Sequence, residues 1–152
     1  MTVANSPQIP SPVELFERIE ASFVRQGLMQ HWGARLLRVE HGLCEVTLPY
    51  SDKVTQQQGG FHGGAMGALA DIAAGYAGLT VAPAGMEVTT VEYKINFLAA
   101  FQGGELRAVG RVIKSGKRLI ITVADVKHVA ADGKVTDCAV MQQTLMPVPQ
   151  SY

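Results

Sequence analysis

The chain has 152 residues, 47% hydrophobic and 17% charged, a size and mix that suit one globular domain with a sizeable core and exclude two stacked domains. Thirteen Lys and Arg balance thirteen Asp and Glu, so the formal net charge is zero and the pI lies near 6.9. No overall field draws such a chain to nucleic acid or to an anionic membrane, and a polyanionic ligand must be met by a local basic cluster.

Residues 1–10 are rich in Pro and Ser and read as a flexible segment without the charged start and apolar core of a secretory signal. Residues 11–147 read as a single domain and 148–152 as a tail. Ser11-Pro12-Val13-Glu14 combines an N-cap serine, a proline at the first helical position and a glutamate placed to close a capping box. Phe16, Ile19, Phe23 and Val24 then recur at helical spacing, which predicts a helix to about Gln26 that stops at Gly27. Two strands follow, Ala34 to Glu40 and Leu43 to Pro49, joined at His41-Gly42. A loop from Tyr50 to Phe61 leads into a Gly- and Ala-rich helix over 63–82. That stretch is as long as a membrane span, but Asp71 near its centre argues against insertion.

Four runs of β-character complete the chain: Val88 to Ala99, Glu105 to Lys114, Leu119 to Val129 and Val135 to Met146. Gln102-Gly103-Gly104, Ser115-Gly116-Lys117 and Ala131-Asp132-Gly133 read as hairpin connections between them. The order predicts an α+β domain with an antiparallel sheet and one long central helix. Cys44 and Cys138 lie far apart inside apolar runs, as free thiols buried in a reducing cytoplasm would.

On a helical wheel, Gly64, Gly67, Gly75 and Gly78 share a face with Asp71, while Leu69, Ile72, Tyr76 and Leu79 fall mostly on the other. Glycine inside a helix costs roughly 0.5–1 kcal/mol relative to alanine, so four on one face imply close approach of a sheet, a second subunit or a substrate. Asp71 has no basic neighbour at helical contact spacing, so either its partner comes from elsewhere in the fold or its charge is put to use. The helix entrance, Gly59-Gly60-Phe61-His62-Gly63-Gly64, presents backbone N–H groups and a helix dipole suited to a developing oxyanion at Gly63 and Gly64. His62 beside it reads either as a structural hydrogen-bonder or as a general base. Walker-type phosphate loops, dinucleotide-binding fingerprints and Gly-x-Ser-x-Gly elbows are absent.

His62-Gly63-Gly64, then Leu69-Ala70-Asp71, then Thr89-Thr90-Val91-Glu92-Tyr93-Lys94-Ile95-Asn96-Phe97-Leu98 resemble the hotdog-fold thioesterases of the PaaI-like, phenylacetate-pathway group over roughly residues 30–146. The resemblance implies a long helix wrapped by an antiparallel sheet, a homodimer or dimer-of-dimers tetramer with active sites at the subunit interface, and hydrolysis of acyl-CoA thioesters. It implies Asp71 as the catalytic base or nucleophile, Gly63 as the N–H that polarises the thioester carbonyl, and Thr90 as a holder of the attacking water. Gln56 stands where relatives carry an asparagine. No metal or cofactor is called for, coenzyme A being part of the substrate. Lys114, Lys117 and Arg118 around the Ser115-Gly116 turn are the candidates for its phosphates, with Arg107 and Arg111 behind them. Met66, Met86 and Leu79 suggest an acyl pocket that takes an aliphatic chain or an aryl ring. The alternative is a non-catalytic acyl-CoA-binding protein of the same fold.

Overall fold

The computed structural model describes residues 9–152, so the expected flexible segment lies outside the described residues up to position 8. Helix α1, Pro12–Phe23, starts as its cap predicts: Glu14 N donates to Ser11 Oγ at 3.3 Å and Ser11 N to Glu14 Oε2 at 2.8 Å. It buries Leu15, Ile19 and Phe23 and stops at Phe23, earlier than expected, leaving Val24 exposed. Gly27 does not end a helix; it opens a second one, α2, Gly27–Trp32. The residue that stops α2 is Gly33, whose φ of 71° is left-handed. Six residues are too few to show a helical period, which is why the sequence carries no sign of α2.

Strands β1, Arg35–Glu40, and β2, Leu43–Pro49, form the expected hairpin, turned at Gly42 with φ +78°. The central helix α3 runs Gly63–Leu79. It is followed by β3, Met86–Phe97; β4, Glu105–Ser115; β5, Ile120–Val129; and β6, Val135–Pro149. One six-stranded antiparallel sheet results, in the order β1-β2-β4-β5-β6-β3. Gln102-Gly103-Gly104 is no hairpin, because β3 pairs with β6 at the far edge and residues 98–104 cross the end of the sheet to β4. The expected tail also begins later, since Val148 and Pro149 pair with Glu87 and Met86. Local turn chemistry is the same for a hairpin and a crossover, so only the long-range pairing distinguishes them.

The sheet wraps α3, and the helix buries Leu69, Ala73, Ala77 and Leu79 against it. Cys44 and Cys138 are free and buried, with thiols pushed up to about 12 and about 11 by burial, so neither is a thiolate near neutral pH. Two glycines set how close the helix sits. A Cβ on Gly110 of β4 would overlap the Ala73 carbonyl, and one on Gly78 would overlap Leu145 Cδ1. The first obstacle is helix backbone and the second the tip of a side chain. Gly110→Ala is therefore expected to lose about 1–3 kcal/mol or more in urea unfolding, and Gly78→Ala less, as Leu145 can rotate away. Equal losses would refute this account of the helix–sheet contact.

Candidate active site

A β-bulge builds the site. Along β3, Thr90 pairs with Leu145 and Glu92 with Thr144, which leaves Val91 unmatched. Side chains alternate along a strand, so one extra residue reverses the phase: Val88 and Thr90 before it, and Tyr93, Ile95 and Phe97 after it, come to one face. That face meets α3. A Cβ on Gly67 would lie 3.3 Å from the Tyr93 hydroxyl, and one on Gly63 would lie 3.2 Å from the Phe97 ring.

Asp71 stands at mid-helix, half-buried, opposite Thr90. Thr90 Oγ1 donates to Asp71 Oδ1 at 2.7 Å. Gln143 Nε2, from β6, donates to the same Oδ1 and to Thr90 Oγ1 at 3.0 Å. Oδ2 takes no hydrogen bond from the described residues, yet it is not sealed off, since Ser51 Oγ is the one buried side-chain oxygen or nitrogen there without a partner. One carboxylate oxygen is thus held and the other is free for chemistry. Burial raises the Asp71 carboxyl above its ordinary value, and the bonds from Thr90 and Gln143 act against that rise. Thr90 has spent its proton on Asp71 and one lone pair on Gln143, which leaves one acceptor position for a water.

Asp71 lines a cleft of about 110 Å³ with Gln26, Ile72, Gly75, Tyr76, Glu87, Val88 and Thr90. The glycine face accordingly has a divided fate. Gly75 has nothing within 4 Å of a built Cβ and leaves the cleft open, whereas Gly67 and Gly78 are covered by Tyr93 and Leu145. Ile72, partly buried against the core, also flanks the cleft, and Tyr76 reaches it with a hydroxyl held by Ser22 at 3.1 Å and Gln26 at 3.3 Å. Met66 and Leu79, expected to line an acyl pocket, are core residues; Met86 lines another cleft.

At the helix entrance, Gly64 N donates to His62 Nδ1 at 2.7 Å. His62 is the N-cap, the structural alternative of its two readings, and the lone pair a base would use at Nδ1 is occupied. The Gly64 N–H is engaged too, so it is not an oxyanion donor. Gly63 N–H donates to no group among the described residues. Gln56 is not beside Asp71; its Oε1 accepts from Gln58 N within its own loop. Gly63 and Asp71 are eight residues apart, about 12 Å along the helix axis. A single carbonyl cannot meet both within one chain.

Over residues 58–131 the sequence matches the family model of the Thioesterase superfamily. A Saccharolobus solfataricus protein with a provisional esterase name is 36% identical over 101 residues, 66% of this chain and 70% of that protein. A thioesterase family protein from Silicibacter pomeroyi has a crystal structure similar at a TM-score of 0.85 and 32% identity, over 90% of this chain and 99% of that one. The chain belongs to the thioesterase superfamily. The E. coli PaaI protein of the phenylacetic acid degradation operon shares the fold, at a TM-score of 0.77 and 20% identity over 90% of this chain and 95% of that one. The helix wrapped by an antiparallel sheet is the hotdog fold that the sequence motifs imply.

In this thioesterase the basic candidates sit apart from Asp71. Lys117 and Arg118 line a cleft with Val81, Met86 and Pro147 that shares no residue with the Asp71 cleft, and Lys114 is exposed nearby on β4. Met86 lies four residues before Thr90 on β3, about 13 Å along the strand. Arg107 and Arg111 are paired with Glu105 at 2.8 Å and with Asp125 at 2.7 Å. No three His, Cys, Asp or Glu side chains gather as a metal-ligand set among the described residues, and no described helix is long and apolar enough to cross a membrane.

Two participants lie outside the motifs that the sequence displays: Gln143 and Thr122, whose Oγ1 donates to Gln143 Oε1 at 3.0 Å. A signal for both existed. Met141, Gln143 and Leu145 alternate on the inward face of β6, as Ile120, Thr122 and Ala124 do on β5, so each is a polar residue in an apolar register.

Proposed function

We propose that two copies of this chain together hydrolyse acyl-CoA thioesters to free acid and coenzyme A. The observation that carries the reading is Asp71, with Oδ1 fixed by two donors and Oδ2 open to a cleft. A water donating to Oδ2 and to the remaining lone pair of Thr90 Oγ1 would be aimed into that cleft. As its oxygen attacks the thioester carbonyl, Asp71 takes the proton, and the C–S bond then breaks; the proton passes to the departing thiolate. The carbonyl oxygen becomes an oxyanion on the way, and the donor offered to it is the Gly63 N–H of a second copy, as the distance within one chain demands. Support for such pairing comes from β3, an edge strand of twelve residues that exposes Val91, Tyr93 and Phe97. Lys117, Arg118 and Lys114 take the coenzyme A phosphates, at a remove from Asp71 that a long-armed ligand spans. Free cysteines at 44 and 138 suit work in the reducing cytoplasm.

The test is CoA release, followed with a thiol reagent, over short, medium, long and aryl acyl-CoAs, with solution mass measured alongside. Ile72, Gly75 and Val88 around a cleft of only about 110 Å³ favour short, medium and aryl groups over long chains. Turnover of that pattern by a dimer or tetramer is expected. Binding of acyl-CoA without any turnover would instead support a carrier or sensor, and full activity in a monomer would overturn the shared site.

A further inference from the structure

We infer that Gln143 is a positioning residue for the Asp71 carboxylate, itself oriented by Thr122 on the neighbouring strand. This deepens the hydrolase reading and rests on it. Gln143 is fully buried, and an amide in such a place is stable only when its hydrogen bonds are made. Every one of its bonds serves the site. Thr122 and Gln143 are direct partners across β5 and β6, and Thr122 Oγ1 donates to Gln143 Oε1 at 3.0 Å. With its oxygen so engaged, the amide must turn its NH2 toward the helix, where it donates to Asp71 Oδ1 and Thr90 Oγ1.

Two effects follow. The carboxylate cannot rotate to exchange its oxygens without breaking two hydrogen bonds, so Oδ2 stays in the cleft. Thr90, receiving from Gln143, directs its own proton to Asp71 and keeps one lone pair for water. A buried glutamine with no such task would be replaced by a hydrophobic residue at little cost, since apolar neighbours such as Met141 and Leu145 surround it in register.

The groups that face Asp71 leave few other controls on its proton. Glu87 of β3 and Tyr76 of α3 share its cleft, Tyr93 of β3 lies over Gly67, and Gln26 approaches from the α1–α2 link. Strands β5 and β6 present Thr122 and Gln143, while β2 and β4 meet the helix from behind with buried residues such as Cys44 and Ala108. No lysine or arginine lines the cleft.

The test compares wild type with Gln143→Met and Thr122→Val. The first removes the donor; the second leaves it and removes the hydroxyl that orients it. The Asp71 carboxyl is titrated by carbon NMR, and kcat and KM are measured across pH with an acyl-CoA the wild type hydrolyses. Gln143→Met is expected to raise the Asp71 titration midpoint and the acid limb of kcat/KM together, by about one unit or more, and to lower kcat about 10- to 100-fold with little change in KM. Thr122→Val is expected to move both in the same direction by less. A midpoint unchanged in a folded Gln143→Met would overturn the inference, as would a loss confined to KM. Should Gln143→Met not fold, Thr122→Val decides by the same two readouts. The NMR titration needs no turnover, so a wild type without activity would refute the hydrolase reading while the positioning of Asp71 was still measured.

Discussion

Asp71→Asn is expected to lower CoA release by two or more orders of magnitude while leaving the fold intact. General-base assistance is worth about 10²- to 10⁴-fold, and an amide cannot accept the proton. The substitution is close to isosteric: the new amide can keep its oxygen toward Thr90 and Gln143, the two donors that hold Oδ1 now. The working form is the ionised carboxylate, whose protonation burial shifts above the ordinary 3.8. Activity should therefore rise with pH through that raised value and vanish below it. For stability the sign is opposite. An aspartate whose folded value is raised costs nothing below its ordinary value, and its cost grows as pH climbs through the raised one. Asp71→Asn should thus melt higher than wild type near neutral pH, since the bonds from Thr90 and Gln143 offset only part of the burial penalty. A folded variant with undiminished turnover would assign the chemistry to another group.

Gly63→Pro is expected to cost about 10²- to 10³-fold in kcat, the range for loss of one oxyanion donor. Proline suits the first helical position because the N–H it lacks is not used by the helix. The preceding residue is prepared for it as well, since His62 has φ −67° and ψ 138°, the extended conformation a following proline requires. The helix should form as before, and only the free N–H should be lost. Added bulk is a separate effect, because a Cβ here lies 3.2 Å from the Phe97 ring. Gly63→Ala isolates it: it adds the Cβ, keeps the N–H and obliges Phe97, half-exposed at 53%, to give way slightly. A loss in Gly63→Pro far beyond that in Gly63→Ala is the expected pattern. Equal losses would reduce Gly63 to a matter of space.

Features legible in the sequence share one property: each is encoded by neighbours along the chain. The capping box of α1 occupies four consecutive residues, the β1–β2 turn needs only Gly42, and the HGG entrance and Asp71 belong to one helix. Their chemistry can be recognised before any partner strand is placed. Helix α2 escapes notice because six residues carry no period, and the crossover at 102–104 because its glycines would serve a hairpin equally well.

What the sequence by itself determined is therefore the class of fold, the helix that carries Asp71 and the family to which its motifs belong. Tertiary structure alone decided which groups touch that carboxylate. The Val91 bulge brings Thr90 to the same face as Tyr93, β5 and β6 place Thr122 opposite Gln143, and the N-cap bond to His62 engages the Gly64 N–H and leaves that of Gly63 free. Thr90 lies 19 positions from Asp71 and Gln143 lies 72 positions from it. Hydrogen bonds act over about 3 Å of space, whatever the separation along the chain, so pairing register and strand phase select these partners.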